Sequence, residues 1–165
     1  FRQSVLLNVG ARDGIIDGWA TMDGLGLVGR ISGVGPDSSR VILLTDTSSR
    51  IPASIEPSGQ TVLILGDNTL APPIDFIENP ELIRPGDRIV SSGDGGVFPP
   101  GLLIGQVAKD SGGRLRARLA ADYGQLKFLR VLRSQSRLKI SGSGPLVAPR
   151  QPTTSTLETR RKEGE

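Results

Sequence analysis

Turn residues interrupt this chain so often that its apolar residues fall into short runs rather than the long amphipathic stretches a helix needs. Glycine contributes 22 residues and proline 12, and the apolar residues between them are mostly Val, Ile and Leu. This pattern predicts strands joined by turns. The β-like runs are Val5 to Val9, Trp19 to Met22, Leu27 to Val34, Val41 to Thr45, Ile51 to Ile55, Thr61 to Leu65, Arg88 to Ser91, Leu102 to Ala108, Arg114 to Leu119 and Leu126 to Leu132. The clearest is Arg114 to Leu119, where strict alternation sets Arg114, Arg116 and Arg118 on one face and Leu115, Ala117 and Leu119 on the other, as in a half-buried strand.

The chain also repeats itself. Val28-Gly29-Arg30-Ile31 matches Ile104-Gly105-Gln106-Val107 at an offset of 76 positions, and at the same offset Arg40 falls on Arg116, Leu43 on Leu119 and Asp46 on Asp122. Upstream, Asp17-Gly18-Trp19-Ala20 corresponds to the glycine turn and strand start at Pro85-Gly86-Asp87-Arg88 with an offset of 68. The eight extra residues lie in the Gly93 to Gly101 loop. Two similar β units in tandem predict two small barrels or one pseudo-symmetric double barrel, because closure removes the strand edges that a small sheet cannot leave free. A chain of 165 residues has room for one ordinary domain or two very small ones that lean on each other.

The net charge of +3 is unevenly placed. Residues 1–133 hold 14 Lys+Arg and 14 Asp+Glu, so the excess comes from residues 134–165, with 6 against 3. Within the first part, residues 1–108 carry 7 basic against 12 acidic groups and residues 109–133 carry 7 against 2. From Ser134 onward the composition turns to Ser, Gly, Pro, Thr and charge, which cannot offset its ordering entropy by burial. Residues 134–165 therefore read as a disordered tail, with room for a short strand around Leu138 to Ile140. No apolar run reaches the roughly 20 residues of a membrane span, so the fragment reads as soluble. It begins at Phe1, which leaves an upstream anchor, export signal or domain open.

Cysteine and histidine are both absent, which removes disulfides, thiolate and imidazole metal sites, and Ser-His-Asp or Cys-His nucleophilic machinery. Asp46-Thr47-Ser48 has the look of an aspartic-protease turn, and a second acidic turn follows at Asp94-Gly95-Gly96, so a hydrolase with paired aspartates is one reading. The competing reading is an ordinary strand-ending turn whose carboxylate accepts local N–H groups. The glycines from Gly24 to Gly29 lead into a strand without Gly-Lys-Ser/Thr, which argues against a phosphate loop. Acidic residues never take the spacing of a calcium loop, so no metal and no cofactor is expected. The arginines of 114–118 could follow a phosphate backbone, making a nucleic-acid-binding tandem barrel the alternative function. However, Trp19, Phe76, Phe98, Tyr123 and Phe128 do not interleave with that strand as a stacking platform would.

Four motifs in order resemble one known family. Asn8 to Gly18 (Asn-Val-Gly-Ala-Arg-Asp-Gly-Ile-Ile-Asp-Gly) is similar to the opening of the extracytoplasmic domain of the rod-shape-determining MreC proteins, as is Gly26 to Ile31. Ser39 to Pro52 resembles that family's central signature, and Gly86 to Gly105, with Ser-Ser-Gly-Asp-Gly-Gly-Val-Phe-Pro-Pro-Gly at its centre, is the most specific of the four. The resemblance covers residues 1–133 and implies two six-stranded β-barrel subdomains, intertwined or in tandem and roughly 1–65 and 66–133; the tail 134–165 has no counterpart in the family pattern. It further implies a periplasmic, non-enzymatic scaffold for cell elongation and rod shape. Such a scaffold would be anchored to the inner membrane and self-associate through an upstream helix and coiled coil. It would organise peptidoglycan-synthesis proteins, linking membrane and cytoskeletal partners to a penicillin-binding transpeptidase, with no nucleic acid involved. The family-motif positions are Gly14, Gly18, Gly29, Asp46, Gly86, Asp87, Gly93, Pro99, Gly101 and Gly105, with structural roles, while Val97 and Phe98 are the partner-contact candidates. For Phe98 a second expectation competes, that it turns inward and plugs one end of the second barrel.

Overall fold

A computed structural model describes residues 3–134. The strand expected around Leu138 to Ile140, and the tail beyond, lie outside the described residues. Strands β1 (Ser4–Leu7), β2 (Ala20–Met22), β3 (Leu27–Val34) and β4 (Ser39–Leu43) come first, then β5 (Arg50–Glu56), β6 (Gln60–Leu65) and β7 (Ile74–Asp75). After these follow β8 (Arg88–Ser91), β9 (Leu103–Lys109), β10 (Leu115–Leu119) and β11 (Arg130–Val131). They form two antiparallel sheets, ordered β1-β4-β3-β2-β11 and β10-β9-β8-β5-β6-β7.

The second sheet closes on itself. Ala117 N–H donates to Pro72 O at 2.9 Å and Leu119 N–H to Leu70 O at 3.1 Å, so β10 is joined to the segment entering β7. With both edges paired, a six-stranded barrel surrounds Ile51, Ile55, Ile64, Ile89 and Ile104, all essentially inaccessible to water. The first sheet has five strands where six were expected, and curls around Trp19, Val28, Ile31 and Val41.

The division at residue 65 is corrected by the pairing. β5 and β6 belong to the second sheet, because Ala53, Ser54, Ile55 and Glu56 pair with Ser91, Val90, Ile89 and Arg88, and the hairpin buries Ala53, Ile55, Val62 and Ile64 in the second core. The chain changes barrels between Leu43 and Arg50 and returns through residues 120–129 to add β11 to the first sheet. The sequence repeat is nonetheless present in three dimensions. Gly29 pairs with Leu43 and Gly105 with Leu119, and Leu44 N–H bonds Val28 O as Ala120 N–H bonds Ile104 O, each pair related by 76 positions. At the other offset, Gly18 N–H bonds Ile31 O as Gly86 N–H bonds Val107 O, and both glycines have left-handed φ, 90° and 95°. Even the register shift recurs, between Thr21 and Met22 and between Ile89 and Val90. One copy of the unit therefore sits in each barrel, and β5–β6 is an addition to the second.

Tyr123 joins the two. Its ring packs against both apolar clusters, and its hydroxyl lies 3.1 Å from Val28 O and 3.3 Å from Leu27 O on β3. Burial, and secondarily the charge of Asp23, pushes the phenol well above its ordinary range. Because the folded value lies above the unfolded value of about 10, the neutral phenol's contribution is complete below that pH and fades as pH rises beyond it. Tyr123 is the chain's single tyrosine, so phenolate absorbance reads it alone. On raising the pH, the phenolate should appear together with loss of near-ultraviolet dichroism, and Tyr123→Phe should flatten the alkaline limb of stability. A phenolate forming well before unfolding would show that the pin is loose.

Candidate partner-binding cleft

The connection between β8 and β9 carries the eight extra residues of the second repeat, and hydrogen bonds fold it back onto its barrel. Buried Ser91 is the centre: its hydroxyl donates to Pro99 O at 2.6 Å and accepts Leu102 N–H at 2.9 Å, while Ser92 N–H reaches Pro52 O at 3.1 Å. Gly93 (φ 83°) is packed against the Pro100 ring, where a Cβ would stand 3.0 Å from Pro100 Cβ, and Gly101 turns the chain into β9 with φ 83°. Held this way, Phe98 is only 6 % exposed and joins the second core, whereas its neighbour Val97 is 36 % exposed. Of the two contact candidates Val97 is the exposed one, and Phe98 is buried in the second core, where an aromatic of that size gains most by leaving water.

The loop forms one wall of a cleft of about 1730 Å³, whose lining also includes Trp19, Arg30, Ile42, Leu44, Arg50 and Arg133. Trp19 Nε1 donates to Ser134 O at 2.9 Å, and both residues line the cleft. Arg50 is tied to Thr47 O and Ser49 O, and among the described residues Arg30 and Arg133 form no salt bridge. The cleft thus combines an apolar wall with the charged residues Arg30, Arg50, Arg133, Asp17 and Asp94.

Of the other motif positions, Gly29 and Gly105 lie inside β3 and β9, and the rest sit at turns. Gly14 ends the short 3-10 turn Ala11–Asp13 with φ 77°, and Asp87 accepts Arg84 N–H at 2.8 Å beside Gly86. Asp46 is buried and its carboxylate accepts the backbone N–H groups of Gln3 and Ser48, both at 2.8 Å, as well as the Ser48 hydroxyl; alongside it, Thr45 donates its hydroxyl to the Gln3 side-chain carbonyl. Asp122 accepts Gly124 N–H at 3.1 Å in the same way, again 76 positions on. Asp94 accepts the Ser92 hydroxyl in the exposed loop, so the two aspartates serve separate turns and are not arranged as a dyad. Among the described residues no group of three or more carboxylates is placed to hold a metal ion.

The central arginine of the β10 face is internally satisfied. Arg116 donates to Asp110 at 3.1 Å, to Asp67 at 3.0 Å and to Ala71 O at 3.0 Å. The Arg114 backbone N–H, and then Arg116, hold the Asp110 carboxyl below the usual range, and these carboxylates in turn raise the guanidinium of Arg116. With its central arginine bound to two carboxylates, the strand presents no continuous cationic track. Nothing in the sequence spacing links Asp67 to Arg116; only barrel closure brings them together.

These features define a class: a double β-barrel domain made from one hairpin unit used twice, with an open cleft lined from both barrels and with Asp46, Asp87, Asp94 and Asp122 engaged in turns. Comparison with known proteins narrows this. A family model described as "Rod shape-determining protein MreC, barrel core" matches residues 1–133. The cell shape-determining protein MreC of Cereibacter sphaeroides is 67 % identical over 160 residues, covering 96 % of this chain and 53 % of that protein. The Caulobacter vibrioides protein of the same description is 36 % identical over 156 residues, 94 % of this chain and 45 % of that one. A crystal structure of MreC from Pseudomonas aeruginosa shares 29 % identity and a TM-score of 0.73, covering 81 % of this chain and 90 % of that chain. The chain belongs to the rod shape-determining MreC family. It spans about half the length of these two relatives. No helix among its described residues is long and apolar enough to cross a membrane.

Proposed function

We propose that this chain is the periplasmic, non-enzymatic scaffold portion of a membrane-anchored cell-elongation protein, and that it organises peptidoglycan-synthesis proteins to form and maintain rod shape. The penicillin-binding transpeptidase is the partner assigned to the inter-barrel cleft, alongside membrane and cytoskeletal elongation proteins elsewhere on the full-length molecule. The observation that carries this reading is the cleft itself, with Val97 presented on a loop anchored by Ser91 and Phe98, and Arg30 and Arg133 in its walls. A preorganised loop loses little entropy on docking. The roles of the motif residues Gly14, Gly18, Gly29, Asp46, Gly86, Asp87, Gly93, Pro99, Gly101 and Gly105 in this reading are to hold that geometry.

The test measures transpeptidase binding by the intact domain. Val97→Asp together with Arg30→Glu is expected to weaken binding by at least ~10-fold, about 1.4 kcal/mol, with an unchanged melting temperature. Wild-type affinity in this double variant would overturn the cleft assignment.

A further inference from the structure

The inter-barrel cleft is also where the described chain ends. Ser134, the last described residue, lines it, and its carbonyl accepts Trp19 Nε1–H at 2.9 Å. Whatever follows in the sequence is therefore tethered inside the cleft and not at a distant surface. A chain reaches at most about 3.3–3.6 Å per residue, so the first six residues after Ser134 can span about 20 Å. No long linker is needed for the chain to meet its own cleft.

The order of residues supplies a segment to match. Arg137-Leu138-Lys139-Ile140 alternates basic and apolar side chains, and it is set between Ser134-Gln135-Ser136 and Ser141-Gly142-Ser143-Gly144. Period-two order gives such a segment an apolar side, Leu138 and Ile140, and a basic side, Arg137 and Lys139. The cleft has counterparts for both. Ile42, Val97, Pro99 and Pro100 are accessible in its apolar wall. Asp17 and Asp94 are exposed in its lining and, among the described residues, form no salt bridge. Arg50 is already turned to backbone carbonyls, and Arg30 and Arg133 balance the two aspartates, so apolar contact and the tether carry the match more than net charge does.

We propose that residues 137–140 occupy the inter-barrel cleft of their own chain, with Leu138 and Ile140 against the Val97 wall, and so compete with any external partner for it. A segment tethered this closely acts at a millimolar effective concentration, so an affinity too weak to matter between separate molecules fills the site within one. Only four side chains take part, so the segment yields to a partner that buries more surface, and the rest of the tail needs no core of its own. The occupancy stands apart from the identity of the external partner. Its regulatory consequence, that the cleft opens to the transpeptidase when the segment leaves, rests on the function proposed above.

Fluorescence anisotropy with a labelled peptide of residues 135–142 tests the occupancy on the full chain. L138D/I140D should free the cleft and bind the peptide, whereas wild type should bind it at least ~10-fold more weakly because its own segment competes. Adding Val97→Asp to L138D/I140D should abolish peptide binding with the melting temperature unchanged, which puts the peptide in the cleft and separates lost binding from lost folding. Transpeptidase affinity, measured in parallel, should rise about 10-fold in L138D/I140D through the same competition. Equal peptide binding by wild type and L138D/I140D, no binding by either, or binding that survives Val97→Asp would each overturn the inference. Peptide binding as expected with unchanged transpeptidase affinity would support the intrachain contact and remove the transpeptidase from the cleft instead.

Discussion

Adding one methyl group at Gly105 should cost the protein about 3 kcal/mol or more, at or beyond the upper end for overpacked cores. A Cβ built there would stand 1.9 Å from Arg118 O and 2.8 Å from Arg118 C on the facing strand β10. Those atoms are backbone held in a barrel ladder, so no rotamer change can relieve the overlap. Gly29 is the same position in the first unit, where a Cβ would lie 2.0 Å from Ile42 O. Gly29→Ala should be comparably damaging, because Ile42 O likewise belongs to the backbone of a paired strand. Gly86→Ala serves as the contrast. Nothing lies within 4 Å of its Cβ, so only the left-handed φ opposes it, at about 1–2 kcal/mol. Urea midpoints should rank the three, with Gly105→Ala least stable. An alanine at 105 that leaves the midpoint within error would mean that the two strands are not as close as described.

Phe98→Ala should lose about 3–5 kcal/mol, the usual range for emptying a buried phenylalanine site. Against a typical total of 5–15 kcal/mol, this leaves little margin. The neighbouring Val97→Ala should change stability by no more than about 0.5 kcal/mol, because Val97 is partly exposed and outside the core cluster. Equilibrium unfolding of both variants decides between plug and docking residue. A fully stable Phe98→Ala protein would return Phe98 to the set of partner contacts, against its position in the second core.

Much of this architecture is local chemistry and so was legible in the order of residues. Alternation in β10 places Ala117 and Leu119 inward and Arg118 outward. Asp46 and Asp122 close their strand ends by accepting an N–H two residues on, which needs only an aspartate before a turn. The strands lost in reading are those whose existence depends on a distant partner. β7 is two residues long, preceded by Pro72 and Pro73, and is a strand only because β6 and β10 flank it. Conversely, the Leu126 to Leu132 run keeps just Arg130–Val131 as strand, because only those two residues pair in register with β2.

The sequence by itself determined the all-β class, the use of one hairpin unit twice at its two offsets, the turn role of Asp46 and the resemblance that the family comparison bears out. Each is encoded in period-two alternation, turn residues or motif order, which are read over a few neighbouring positions. Only the tertiary structure decided that the β5–β6 hairpin joins the second barrel, that Arg116 is clamped between Asp67 and Asp110, that Tyr123 links the cores, and that Phe98 points inward while Val97 looks out. Those outcomes depend on which apolar faces cover one another and which charges closure brings within 3 Å or so. Such pairings join residues up to about a hundred positions apart, such as Tyr123 and Leu27, and no local pattern carries that information.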